Sequence, residues 1–176
     1  MVLHRNTARR LDRRLYSIVP LIVLLLVFAT SSAGCGGSAS VSTSEHVSGK
    51  PVRAYTVDDV AKNAQAKLPS YVPSEMQEGY QYALAHPDKL QYMPCYCGCG
   101  LTAEHKNNLD CYIAGVDEDG HAVFDNHASF CAICVEITLD IKRLTAEGKT
   151  PKEIRAYVDQ THGPKGPSTD TPQPPG

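Results

Sequence analysis

Six of the seven cysteines in this 176-residue chain fall between positions 95 and 134. Three of them alternate in one run, Pro94-Cys95-Tyr96-Cys97-Gly98-Cys99-Gly100, followed by Cys111 and a Cys131-x-x-Cys134 pair. In extended backbone successive side chains point to opposite faces, so positions i, i+2 and i+4 place three sulfurs on one side, about 6.5 Å apart. Gly98 and Gly100 let the chain bend so that these thiols converge. Such a density of thiols leaves two kinds of fold: one gathered around a soft metal ion, or one stapled by disulfides.

The compartment governs which of these a cysteine can join. The first seventeen residues carry Arg5, Arg9, Arg10, Arg13 and Arg14 against one acid, Asp12, and an apolar run of about twelve residues follows from position 18. A spanning helix needs roughly twenty, so the segment reads as a signal for export. Small residues then lead into Ser32-Ala33-Gly34-Cys35. This ending resembles the lipobox of bacterial lipoproteins, in which the Cys is lipidated and becomes the mature N-terminus, with Ser32 where that motif usually has Leu. The alternative is an ordinary secretory signal cut near Ala33, leaving Cys35 a free thiol. Acylating Cys35 leaves six cysteines, an even number.

The chain has 17 basic and 19 acidic residues, and residues 1–34 hold five and one of them, so the mature protein carries 12 against 18. That acidic balance argues against a nucleic-acid partner, since phosphate binding needs a basic patch. Residues 35–53 are rich in Gly, Ser and Thr and read as a flexible tether. Residues 163–176, with five prolines, read as a disordered tail. One domain remains, residues 54–162, of a size suited to a single core.

Within it the pattern predicts an all-α domain of four or five helices with one short hairpin or irregular cysteine-rich insertion. Thr56 caps a first helix that should stop near Pro69. Ser74-Glu75-Met76-Gln77 has capping-box spacing and opens a second, with Met76, Tyr80, Ala83 and Leu84 on one face, ending before Pro87. Thr102 is placed to cap a short helix reaching about Cys111. Ser129 should open the longest, striped by Phe130, Ile133, Ile137, Ile141 and Leu144 and stopped at Gly148. Thr150-Pro151-Lys152-Glu153 starts a last helix with the stripe Ile154, Tyr157, Val158. Asp119-Gly120 between short apolar runs is a hairpin signal. Asp117-x-Asp119 reads as part of that turn, because a calcium loop's bidentate Glu at the twelfth position is missing.

From Met93 to Cys134 the chain resembles the bacterial family named for its PCYCGC motif. The segments Asn108-Leu109-Asp110-Cys111-Tyr112, Phe124-Asp125-Asn126-His127-Ala128-Ser129 and Pro151-Lys152-Glu153-Ile154-Arg155-Ala156-Tyr157 are similar to that family too. The resemblance implies an exported protein, in many members with a lipoprotein signal, and implies no chemistry.

The chemistry therefore has to come from the residues. Cys95, Cys97, Cys99, Cys111, Cys131 and Cys134 supply six sulfurs, with His127, four before Cys131, as the favoured auxiliary donor. Cys131 and Cys134, placed in the first turn of a helix, should have depressed pKa values from its dipole. A sulfur-rich set favours Cu(I), with Zn(II) the closest rival. Six thiolates exceed one tetrahedral zinc, whereas a multinuclear Cu(I)–thiolate cluster uses them all. The first reading is thus a non-enzymatic, lipid-anchored protein on the extracytoplasmic face of the cell membrane. It would buffer, sequester or deliver copper, with a copper-handling or oxidase-assembly protein as partner.

Two alternatives remain open. Three disulfides among six cysteines would each contribute about 2–4 kcal/mol to a small domain. Cys131-x-x-Cys134 at a helix start also imitates thiol–disulfide oxidoreductases, although the βαβ unit that normally carries such a pair is not indicated here. His105, flanked by Glu104 and Lys106, reads as a surface residue. Met93 reads as core filler, and Tyr92, Tyr96 and Tyr112 as a shield for the sulfurs.

Overall fold

The computed structural model describes residues 51–175. The expected signal segment, Cys35 and most of the tether lie outside the described residues. The described part is mostly helical, with six α-helices and a small antiparallel pair of strands. The expected all-α class is thus corrected to a mainly helical fold that includes a two-stranded sheet.

Helix α1 (Val57–Ala61) opens on a capping box: the Thr56 side chain accepts from the Asp59 N–H, and the Asp59 carboxylate accepts from the Thr56 N–H. It ends far short of Pro69. Ahead of it, Arg53 pairs backbone to backbone with Val116 (3.0 and 3.1 Å), so the folded part already includes the end of the expected tether. Ser74 does not cap a helix. Its hydroxyl donates to the neighbouring Glu75 carboxylate, and a 3-10 turn (Ser74–Met76) precedes α2 (Gln77–Ala85). The predicted face of α2 is buried through Tyr80, Ala83 and Leu84. Helix α3 (Pro87–Leu90) is a single turn with Pro87 at its start.

The helix expected from Thr102 to Cys111 is absent. A four-residue helix α4 (Cys99–Thr102) precedes that segment instead, and Glu104 at φ +58° turns the chain out of a helical path. Beyond it the Asn107 side chain accepts from the Leu109 N–H (2.9 Å), and the Asp110 carboxylate accepts from the Lys106 N–H (2.6 Å). Local side-chain acceptors here outcompete helix bonding, leaving only a 3-10 turn, Leu109–Cys111.

Strands β1 (Ile113–Val116) and β2 (Ala122–Phe124) form the predicted hairpin, with Val116 opposite Ala122 and Gly120 at φ +83° in the turn. The Asp117 carboxylate is occupied within that turn, accepting from the N–H groups of Asp119 and His121 (3.0 and 2.8 Å).

Helix α5 (Ala132–Ala146) starts three residues later than Ser129. A 3-10 turn (His127–Ser129) precedes it, so Phe130 drops out of the stripe and is 80% exposed, while Ile137, Ile141 and Leu144 are buried as expected. Gly148, at φ +77°, follows its end. Helix α6 (Pro151–His162) carries the Thr150/Glu153 capping box and buries Ile154 and Val158 against the same core. That core is completed by Val60, Tyr80, Leu84, Leu90, Met93, Leu109, Tyr112 and Ile113. No described helix is long and apolar enough to cross a membrane.

Residues 163–175, expected to be a disordered tail, are placed against the domain. Thr169 and Thr171 are buried. The Thr169 N–H donates to the Cys95 carbonyl (3.0 Å), and the Thr171 hydroxyl to the Lys106 carbonyl (2.6 Å). Arg155 donates to the carbonyls of Thr171 and Pro172 (3.3 and 3.1 Å). Composition indicates disorder because such a segment has little to bury on its own. Here the tail gains polar partners from the domain instead.

Candidate metal centre

Three segments of the chain, the run 95–99, the turn ending at Cys111 and the start of α5, bring all six cysteines together, and all six are free thiols. The run 94–99 does not stay extended. Gly98 takes the left-handed conformation (φ +84°) and feeds directly into α4, so Cys99 is the first residue of a helix. The pleat spacing collapses: the Cys95 and Cys97 sulfurs are 3.3 Å apart. Cys95 and Cys99 are fully buried and Cys97 is half-buried. The tail fixes the run in place, because the Cys95 N–H donates to Thr169 Oγ1 (2.9 Å). Gly100 suits this approach, since a Cβ there would lie 3.2 Å from Thr169 Cα, tighter than ordinary contact.

Cys131 and Cys134 do not both lie in the helix. Cys131 is the extended N-cap residue of α5 and Cys134 lies in its first turn. The Cys134 carbonyl accepts from Asn108 Nδ2 (3.2 Å), the Tyr112 hydroxyl (3.1 Å) and the Thr138 hydroxyl (3.1 Å), which locks this end of α5 onto the Cys111 segment. Tyr112 therefore also acts as a brace, beyond the shielding expected of it.

The sulfur of Cys134 lies 3.3 Å from that of Cys95 and 3.7 Å from that of Cys97, and Cys99 lies 3.7 Å from Cys111. A tetrahedral ion with metal–sulfur bonds of about 2.3 Å spaces its sulfurs about 3.8 Å apart, whereas a disulfide holds them about 2.05 Å apart. The observed spacings lie near the edge of a metal polyhedron. His127 joins on the exposed side, its Nε2 3.3 Å from the Cys97 sulfur. Its backbone is held by the Asp125 carboxylate, which accepts its N–H (2.6 Å).

Ligand atoms of Cys97, His127, Cys131 and Cys134 all lie within 4.8 Å of one another. The same holds for Cys95, Cys97 and Cys99, for Cys95, Cys111 and Cys134, and for Cys99, His105 and Cys111. His105 was expected at the surface and is instead 7% exposed. Its polar neighbours Glu104 and Lys106 concealed this. The signal that could have found it is its position, six residues from Cys99 and six from Cys111. Met93 is buried core, as expected.

Ionisation within the cluster is uneven. Cys97 is held far below the usual thiol range by sulfur donors around it, Cys111 first and then Cys131, Cys134 and Cys95. Cys95 is lowered to about 4, through Cys111 and then Cys134. Hydrogen bonding with Cys111 lowers Cys134, but Cys131, Cys95, Cys97 and burial outweigh it, so this thiol is raised. The depressed value expected for Cys134 from the helix dipole is thereby corrected: crowded thiols cannot all ionise, and its neighbours take the negative charge first. Cys111 is likewise raised, by Cys134 first and by the other thiols. The adjacent sulfurs of Cys131 and Cys97 raise the His127 imidazole to about 10. Without a cation the cluster can hold only part of its negative charge; a metal ion would compensate the remainder.

The family described as "protein of unknown function with PCYCGC motif" matches residues 22–174, and the chain belongs to it. No curated protein and no solved structure matches the chain.

Proposed function

We propose that this member of the PCYCGC family binds a soft metal ion, Cu(I) first and Zn(II) second, through its cysteine cluster. It would do so as a lipoprotein anchored by Cys35 on the extracytoplasmic face of the cell membrane. The observation that carries this reading is the convergence of six unbridged sulfurs, five of them with a sulfur neighbour at 3.3–3.7 Å, with an imidazole at their rim. Polarisable thiolates match a soft monovalent ion, and their number suits more than one such ion. A Cys3His set drawn from Cys97, Cys131, Cys134 and His127 also fits one tetrahedral Zn(II). The role that follows is non-enzymatic: buffering or sequestering copper, or passing it to a copper-handling or oxidase-assembly protein at the envelope.

The test is made on the exported chain, isolated from the envelope under nitrogen. Bound metal is measured by atomic emission, and reactive thiols are counted after denaturation. Copper together with six reactive thiols is the expected result. No metal and no free thiol would replace this reading with a disulfide-locked module. A Cys134→Ala chain that accumulates mixed disulfides with other proteins would replace it with an oxidoreductase acting through Cys131. Cys35→Ser should release the protein from the membrane fraction; retention there would refute the lipid anchor.

A further inference from the structure

The donors fall into two overlapping groups, and a buried histidine outside the expected ligand set belongs to one of them. On the half-exposed side stand Cys97, His127, Cys131 and Cys134; on the buried side stand Cys99, His105 and Cys111. Cys95 lies between, within reach of Cys97 and Cys99 on one hand and of Cys111 and Cys134 on the other. The side chain of His105 is 8% exposed, and its Nδ1 is buried with no hydrogen-bond partner. A dry, unpaired ring nitrogen is costly unless something else satisfies it. Its other nitrogen, Nε2, faces the Asp125 carboxylate at 3.6 Å. A carboxylate behind one nitrogen and a free second nitrogen is the usual arrangement of a metal-binding imidazole.

We propose that the cluster holds two metal ions, an inference that rests on the soft-metal reading above. The outer ion would draw its four ligands from Cys97, His127, Cys131, Cys134 and the Cys95 thiolate. The inner ion would take Cys99, His105 and Cys111 together with the same Cys95 thiolate, shared between the two. One four-coordinate ion cannot use eight donors. If it occupied the outer set, it would leave the buried Cys99 and Cys111 with only each other (3.7 Å) and the buried His105 Nδ1 without a partner. A thiolate sulfur has lone pairs enough to bridge two soft ions. Asp125 positions both sites: one oxygen accepts the His127 N–H and the other faces His105. The two imidazole rings meet edge to face, with centroids 5.2 Å apart.

The full chain is titrated with Cu(I) under nitrogen in competition with a chromophoric chelator, alongside X-ray absorption at the copper edge. The wild type should take up two equivalents and show copper–copper scattering. His105→Ala should take up one, without that scattering, while its far-UV circular dichroism stays unchanged. If that variant fails to fold, the ring nitrogen resonances of His105 in the wild type serve instead, and they should shift with addition of copper beyond the first equivalent. Saturation at one equivalent, or a His105→Ala chain that still binds two, overturns the two-ion cluster and leaves soft-metal binding standing. A wild type that binds no copper overturns both.

Discussion

From Ile137 to Leu144, α5 presents apolar side chains to α2, α3 and α6; one turn earlier the same helix presents sulfur. The apolar half packs against regular helices, of which α6 carries its own Thr150/Glu153 capping box. Its cohesion is burial, which is non-directional and tolerates modest repacking. The sulfur half meets segments with little regular structure. These are held by single directed bonds: Thr169 to the Cys95 backbone, Asp125 to the His127 N–H, and Asn108 and Tyr112 to the Cys134 carbonyl. One end is fixed by area removed from water. The other depends on a few specific donors around groups that repel one another once ionised. The second end is therefore the one whose stability should respond to a cation and to pH.

The largest effect that separates the two ends is expected at Ile141, which is fully buried. Ile141→Ala should destabilise the chain by about 2–5 kcal/mol, read as a fall in the urea midpoint, while the folded fraction keeps its metal content. A loss of under ~1 kcal/mol would show that the apolar half is not what holds the fold. A smaller effect is expected for Thr150→Ala, which removes the α6 cap at a cost of about 0.5–2 kcal/mol. Copper affinity measured by chelator competition should not change, and a change would mean that the two ends are coupled.

The smallest effect concerns pH in the metal-free chain. His127 is raised from 6.5 to about 10. Its contribution to stability is therefore fully present below 6.5 and is lost as pH rises through about 10. Cys95 is lowered from 9.0 to about 4, so its contribution is present above 9.0 and is lost as pH falls through about 4. The ring nitrogens of His127, followed by NMR, should show no titration between pH 6 and 8. A midpoint near 6.5 would mean that no thiolate stands beside it.

Several elements were legible in the sequence because their causes are local. The Thr56 and Thr150 caps, the Asp119-Gly120 hairpin, the Ile137/Ile141/Leu144 stripe and the stop at Gly148 follow from spacing and backbone preference within a few residues. Ser74 misled because its hydroxyl donates to the Glu75 carboxylate instead of capping a helix, and the Thr102–Cys111 helix because the Asn107 and Asp110 side chains offer the backbone competing acceptors. In the candidate site the cysteines stood out by residue type and His127 by its place four before Cys131, whereas the charged neighbours of His105 pointed it to the surface.

The sequence alone set which donors the chain carries and which segments become its longer helices, since both depend on residues near one another. Tertiary structure alone placed Cys131 at the N-cap of α5, buried His105 between Cys99 and Cys111, and laid the proline-rich tail across Cys95. The Thr169–Cys95 contact joins residues 74 positions apart. No local preference encodes a pairing at that distance; it forms only once the core has brought both segments to the same face, where each satisfies polar backbone groups that the other would leave unpaired.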